Sequence, residues 1–352
     1  MVFKNMTKNI TPYLPALYKY LRATDLFAED NVKQGRGGPF GAALLVLDSK
    51  KGVFHEIGNM AANAVLSKGI GSAHAESEVL SPENVSLLKK LLCQLGPDSL
   101  VIIVSSGESC PACHAKEEIL ARTVIAEGLL NRGNVFVVYG ATYEQTESVA
   151  GFNDRPYLED MQKPAHSRLI KQSVIDISNL PLSVRDIFEK SSFSVAVLCQ
   201  GDNISGVGYD KREIDIMETA EVGAIRAACC AQKNKGIESP WDLRGAVLYT
   251  STPTVGPLEY AESLWANITC RVVVSHPRAT SWATQEAPDL TNEDFFQTIA
   301  SRPYNKTNGS VTVLHLEQGF ENRAQYAWQS KIEEENKVYG VKKSLYNGAK
   351  IK

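Results

Sequence analysis

Apolar and polar positions follow two different periods along this chain. Across residues 12–32, Leu14, Leu17, Tyr18, Leu21 and Leu26 recur at roughly helical spacing and predict an opening helix. A glycine-rich turn then leads into the apolar strand of GRGGPFGAALLVLD. GVFHEIGNMAA reads as its antiparallel partner across the turn-like DSKKG. SAHAESEVLSPENVSLLKKLLCQL has a helical pattern, with Pro82 either breaking it or opening a second helix. SLVIIVSS is a buried-strand run, CHAKEEILARTVIAEG a helix ending at Gly128, and NVFVVYGA a further strand. Such alternation predicts the α/β class, with helices packed on a sheet.

The same order returns about 145 residues later. FSVAVLCQGDNISGVGYD supplies two strands around a turn and METAEVGAIRAACCAQKNKG a helix. RGAVLYTST, GPLEYAESLWANI and CRVVVSH follow as strand, helix and strand. Each set has a similar tail, SVIDISNLPLSVRDIFEKS in the first and SVTVLHLEQGFENRAQYAWQS in the second. We read an internal duplication with domains 1–188 and 189–352.

Length agrees, since 352 residues suggest roughly two domains at about 150 residues each. The chain is 43% hydrophobic and 22% charged, an ordinary globular balance. A net charge of −3 without any basic stripe disfavours nucleic acid as the partner. Apolar runs such as Phe40–Leu47 are too short to span a membrane, so no membrane partner is expected. The N-terminal MVFKNMTKNITPYLP does not read as an export segment. Seven cysteines, an odd number, do not suggest a disulfide framework and point to a reducing cytoplasm. Core packing is expected of Cys93, Cys199, Cys229, Cys230 and Cys270.

The other two form the C-x-x-C of GESCPACHAK, Cys110 and Cys113. That pattern alone fits a redox dithiol, half of a structural zinc site or part of a catalytic one. His74-Ala75-Glu76, at the start of the preceding helix, narrows the choice. His74, Cys110 and Cys113 can fill three tetrahedral zinc positions and leave one for water. Glu76 can point at that position without ligating and shuttle protons from water to a leaving amine. His114 is expected at the surface or behind the ligands. His55, His166, His276 and His315 read as strand or loop residues.

HAE at 74–76 with SCPAC at 109–113 resembles the zinc-dependent cytidine and purine deaminase superfamily, with Ser109 in place of the usual proline. GGPFGAALLV and GFNDRPYLEDMQKP are similar to segments of its guanine deaminase branch, a likeness covering most of residues 36–190. The resemblance implies a three-layer α-β-α sandwich of the cytidine deaminase type, its central sheet of about five strands, in two tandem copies. It implies one Zn2+ per chain, in the N-terminal domain. Its activity would be hydrolytic deamination of a purine base or nucleoside, guanine-like by preference. It implies substrate contacts from Asn63, eleven residues before His74, from Asp154 in GFND, from Phe40 and from Ala75. The alternatives are an RNA adenosine deaminase and a non-catalytic, zinc-stabilised nucleobase-binding module.

The second copy has Thr219 for the histidine, retains Glu221, has no cysteine between Cys230 and Cys270, and has Gly208 where Asn63 stands. Hydroxyls are poor zinc ligands, so this copy is expected to be inactive. The resemblance further implies an intramolecular pseudo-dimer, with homodimers an open alternative. It also suggests that the tail 311–330, with Phe320, Tyr326 and Trp328, caps the first copy's pocket or simply packs on its own domain.

Overall fold

A computed structural model describes residues 10–151, 155–164, 167–275, 297–299, 310–316 and 321–339. In chain order, α1 is Leu14–Lys33, β1 Gly41–Asp48, β2 Val53–Glu56 and β3 Ala61–Ala62. Then follow α2 Ala75–Val79, α3 Pro82–Leu95, β4 Leu100–Gly107, α4 Pro111–Ala126, β5 Val135–Ala141 and α5 Tyr143–Ala150. Next come α6 Arg155–Gln162, β6 Lys171–Asp176, α7 Leu182–Lys190, β7 Val195–Gln200 and β8 Asn203–Tyr209. The chain continues through α8 Ala220–Asn234, β9 Val247–Thr250, α9 Pro257–Trp265, β10 Cys270–Ser275, β11 Val311–His315 and α10 Arg323–Tyr339. These elements form two mixed α/β units. One comprises 1–67, 73–155 and 302–347, and the other 68–72, 156–301 and 348–352.

The sheet of the first unit has the order β11-β5-β4-β1-β2, with β3 paired to the end of β1. β1 runs antiparallel to β2 and β4, while β4, β5 and β11 are mutually parallel. β1, β4 and β5 are buried along their whole length, which is why they read as continuous apolar runs. Every second residue faces the same side. Leu45 and Leu47, Ile102 and Val104, and Phe136 and Val138 thus share one face, which packs against Leu17 and Leu21 of α1. At Pro82 the helical pattern divides into α2 and α3. Pro82 opens the second helix, and the Ser81 hydroxyl caps it by accepting from Asn84 N at 3.3 Å.

The tail 310–339 completes this unit. β11 extends the sheet beside β5, and the Glu118 carboxylate accepts from Ser310 N at 3.0 Å and Val311 N at 3.1 Å. Asp25 of α1 caps α10 by accepting from Arg323 N at 2.8 Å and Ala324 N at 3.1 Å. Trp328 is buried against Val32 and Ala150, whereas Tyr326 is exposed and Phe320 lies outside the described residues.

The second unit has the order β6-β10-β9-β7-β8, with β6, β10 and β9 parallel and β7 antiparallel to both β8 and β9. Its core joins Ala196 and Leu198 of β7 to Ala224, Ile225 and Ala228 of α8. α6 belongs here from Pro156 onward. Asp160, fully buried, accepts from Leu169 N at 3.1 Å, from Lys163 Nζ at 2.9 Å and from the Tyr260 hydroxyl.

By compactness, residues 156–188 group with the second unit, and the described part of the tail, from residue 310 onward, groups with the first. Strand pairing draws each tail to a sheet its own sequence position does not suggest. The cysteines also differ from expectation. All seven are unpaired; Cys199 and Cys229 are buried, but Cys93 and Cys230 are exposed and Cys270 is half-buried. α3 and α8 are amphipathic, and a cysteine on the outer stripe faces water.

Candidate metal centre

His74 and Cys110 occupy equivalent places, each the extended residue before the first turn of a helix. His74 has φ −78° and ψ 161° ahead of α2, and Cys110 has φ −66° and ψ 166° ahead of α4. β4 ends at Gly107 and delivers the chain to Cys110; Cys113 follows on the first turn of α4. The His74 Nδ1 atom lies 3.2 Å from Cys110 Sγ and 3.6 Å from Cys113 Sγ. All three residues are buried, and their ligand atoms lie within 4.8 Å of one another.

These separations fit a shared metal ion. Zinc bonds of about 2.0 Å to nitrogen and 2.3 Å to sulfur, at tetrahedral angles, set ligand atoms about 3.5 Å apart. One imidazole and two sulfurs also form a borderline-soft donor set, suited to zinc rather than to calcium or magnesium. The cluster can therefore hold a metal ion.

Glu76 lies beside the cluster. Its Oε2 is 3.6 Å from Cys113 Sγ, and its Oε1 accepts from the Ser105 hydroxyl of β4 at 2.6 Å. Burial raises its pKa above the ordinary carboxylate range, against the opposing pull of the His74 charge and the Ser105 hydrogen bond. Burial also disfavours the Cys110 thiolate. Hydrogen bonding with Cys113 and the charge and hydrogen bond of His74 outweigh it and hold Cys110 well below the usual thiol range. Cys113 is pushed well above that range by burial and by the neighbouring Cys110.

Asn63 is buried. Its Oδ1 accepts from Gly38 N at 3.1 Å and from Val65 N at 3.2 Å, which orients the amide with its NH2 on the other side. Gly37 is required here because a Cβ would stand 1.8 Å from the Asn63 carbonyl oxygen. The Ala64 N–H donates to Ala73 O at 2.7 Å, which ties the residue after Asn63 to the residue before His74. The Phe40 carbonyl accepts from Asn63 N at 2.9 Å, and the Phe40 ring lies over Gly107, three residues before Cys110. Asn63 and Phe40 thus belong to segments adjoining the cluster. Ala75 is fully buried at the first position of α2. Asp154 lies outside the described residues, as do His166 and His276. His114, expected at the surface or behind the ligands, is buried.

Three contributors went unnoticed in the sequence. Ser105 holds Glu76, Ser77 Oγ lies 3.5 Å from Cys113 Sγ, and Lys116 Nζ donates to Ser77 Oγ at 2.9 Å. The only advance signal was a lysine in an otherwise apolar stripe of α4.

The second unit has helix starts of similar backbone conformation but different chemistry. Thr219, at φ −75° and ψ 163°, precedes α8 as His74 precedes α2, and its hydroxyl accepts from Val222 N at 3.4 Å. Glu221 follows on the first turn, and Thr250 of β9 donates to its Oε1 at 3.1 Å. Gly256 precedes α9 in extended conformation, as Cys110 precedes α4. Glu221 faces a buried arginine: Arg271 of β10 donates to Oε1 at 2.7 Å and Oε2 at 3.3 Å. The same guanidinium reaches Gln172 Oε1 at 2.7 Å and the Thr252 and Thr254 carbonyls at 2.7 and 2.9 Å.

No protein-family model matches this chain, and neither does any curated protein. Among solved structures, guanine deaminase from Bacillus subtilis matches at 24% identity and a TM-score of 0.33, over 49% of this chain and 90% of that one.

Proposed function

We propose that this protein is a zinc-dependent hydrolytic deaminase acting on a purine base or nucleoside, with a guanine-like base preferred. The observation that carries the reading is a buried carboxyl 3.6 Å from one sulfur of a buried His/Cys/Cys cluster, held by a serine rather than counted among the ligands. A purely structural metal site gains nothing from such a group. His74, Cys110 and Cys113 would hold the ion. When bound, zinc supplies a Lewis acid that lowers the pKa of water to about 7.

The remaining chemistry falls to side chains. Glu76 takes a proton from the attacking water at Oε2 while Ser105 anchors Oε1. The water oxygen bonds to the amine-bearing ring carbon, C2 in guanine. Glu76 then returns the proton to the departing nitrogen, the C–N bond breaks and ammonia leaves; the second water proton passes from oxygen to the adjacent ring nitrogen, leaving a carbonyl. Burial raises the pKa of Glu76, the direction that suits a group which must both accept and release a proton. The Asn63 NH2, turned away from its two backbone donors, is available to donate to an acceptor on the base. Phe40 would flank the ring, and Ala75 and Asp154 would complete the contacts.

The Arg271–Glu221 pair and the absent thiolates support a non-catalytic second unit. Pairing of the two units as an internal pseudo-dimer belongs to the same proposal.

The test is ammonia release from guanine, guanosine, adenosine, pterins, pyrimidines and tRNA, with elemental analysis of the same sample. Stoichiometric zinc and turnover of one purine are expected. Glu76→Gln should keep the metal and lose at least about 100-fold in turnover. Metal-free folded protein, or turnover retained in Glu76→Gln, would overturn the reading.

A further inference from the structure

Lys116 is an ammonium with 1% exposure, placed on α4 one turn beyond Cys113. A buried cation is costly unless it neutralises something. Its Nζ donates to Ser77 Oγ at 2.9 Å, and Ser77 Oγ lies 3.5 Å from Cys113 Sγ. An ammonium has donors only, so the serine oxygen accepts from Lys116, and the same hydroxyl links the cation to the sulfur.

We propose that Lys116 and Ser77 form a hydrogen-bonded relay that fixes the Cys113 sulfur in place and sets how tightly the cluster binds a thiophilic dication. The proposal rests on reading His74, Cys110 and Cys113 as zinc ligands.

The second unit provides an internal control. At the third position of α8, where α2 has Ser77, stands Val222; at the sixth position of α9, where α4 has Lys116, stands Glu262. Where the thiolates are missing, the relay is missing too. Lys116 and Ser77 are accordingly positioning residues: neither touches the reacting atoms, and both act through the sulfur.

The test is zinc affinity of the folded full-length chain, measured by competition with a chromophoric chelator. Ser77→Ala and Lys116→Met should each weaken binding by roughly 10–100-fold, the usual loss when a ligand's supporting partner is removed. The double variant should lose little more than either single one, because a broken relay is broken once. Ser77→Thr should restore affinity. In cobalt-loaded samples the sulfur-to-metal charge-transfer band should shift in Ser77→Ala and Lys116→Met and return in Ser77→Thr, which a merely structural role would not produce. If Lys116→Met fails to fold, Ser77→Ala, which removes one oxygen, decides alone. Zinc affinity within twofold of the wild type in folded Ser77→Ala would overturn the relay whatever the activity. Weakened zinc binding with no ammonia released from any amine by the wild type would uphold the relay and remove the deaminase reading.

Discussion

Two buried glutamates, Glu76 and Glu221, stand at the same place on the first turn of a helix and have different neighbours. The first sits beside sulfur and a serine hydroxyl, the second beside a guanidinium. A third acid adjoins the second pair. Burial, and then the Glu221 charge, push the half-buried Glu259 up to about 7. Its folded pKa thus lies above the ordinary value of 4.5, so the folded state binds the proton more tightly. Its cost to folding is absent below about pH 4.5, grows as pH rises, and is complete above about pH 7. Glu259→Gln should therefore stabilise the protein by about 1–3 kcal/mol at pH 8 and leave stability nearly unchanged at pH 4. Urea unfolding at the two pH values checks this, and an equal gain at both would contradict the assignment. Residues of this kind were only partly legible in advance. HAE and C-x-x-C show their chemistry in their spacing, whereas Ser105, Ser77 and Lys116 acquire a role only through neighbours 29, 36 and 39 residues away.

At the scale of elements, the close approach of β8 to α8 explains Gly208. A Cβ there would meet Ala220 O at 2.1 Å and Ala224 N at 2.2 Å, both backbone atoms of a packed helix. In the sequence, Gly208 registered as the absence of an amide at the position of Asn63; in the fold it is the condition for seating the helix. Gly208→Ala should cost about 3 kcal/mol or more, because neither backbone can retreat without disturbing the core. Chemical denaturation measures it, and a loss below about 1 kcal/mol would show that the helix can shift. The helices and strands were largely readable, since their periods reflect faces that must be buried. α6 was not. RPYLEDMQ carries a polar composition, and its fixed point is Asp160, whose partners Leu169 and Tyr260 come from elsewhere in the chain.

For the whole molecule, the tail 310–339 makes the largest claim. It supplies an edge strand, a cap for α10 and the buried Trp328, and it satisfies the buried carboxylates of Asp25 and Glu118. Ending the chain at residue 309 should uncover the edge of β5 and leave both carboxylates without those backbone donors, a cost of about 1–3 kcal/mol each beyond the lost apolar contacts. The expected outcome is loss of cooperative unfolding in the first unit and rapid proteolysis within 10–151. An unchanged melting transition would show that the tail is dispensable. None of the described helices is long and apolar enough to cross a membrane.

By itself the sequence determined the α/β class, most element positions and the three residues that can share a metal, because local periodicity and ligand type are written in neighbouring letters. Only the tertiary structure decided which sheet each tail joins, what supports Cys113 and Glu76, and which cation faces Glu221. Those outcomes depend on pairings between residues far apart in the chain, where hydrogen-bond geometry and buried charge, rather than local pattern, select the partner.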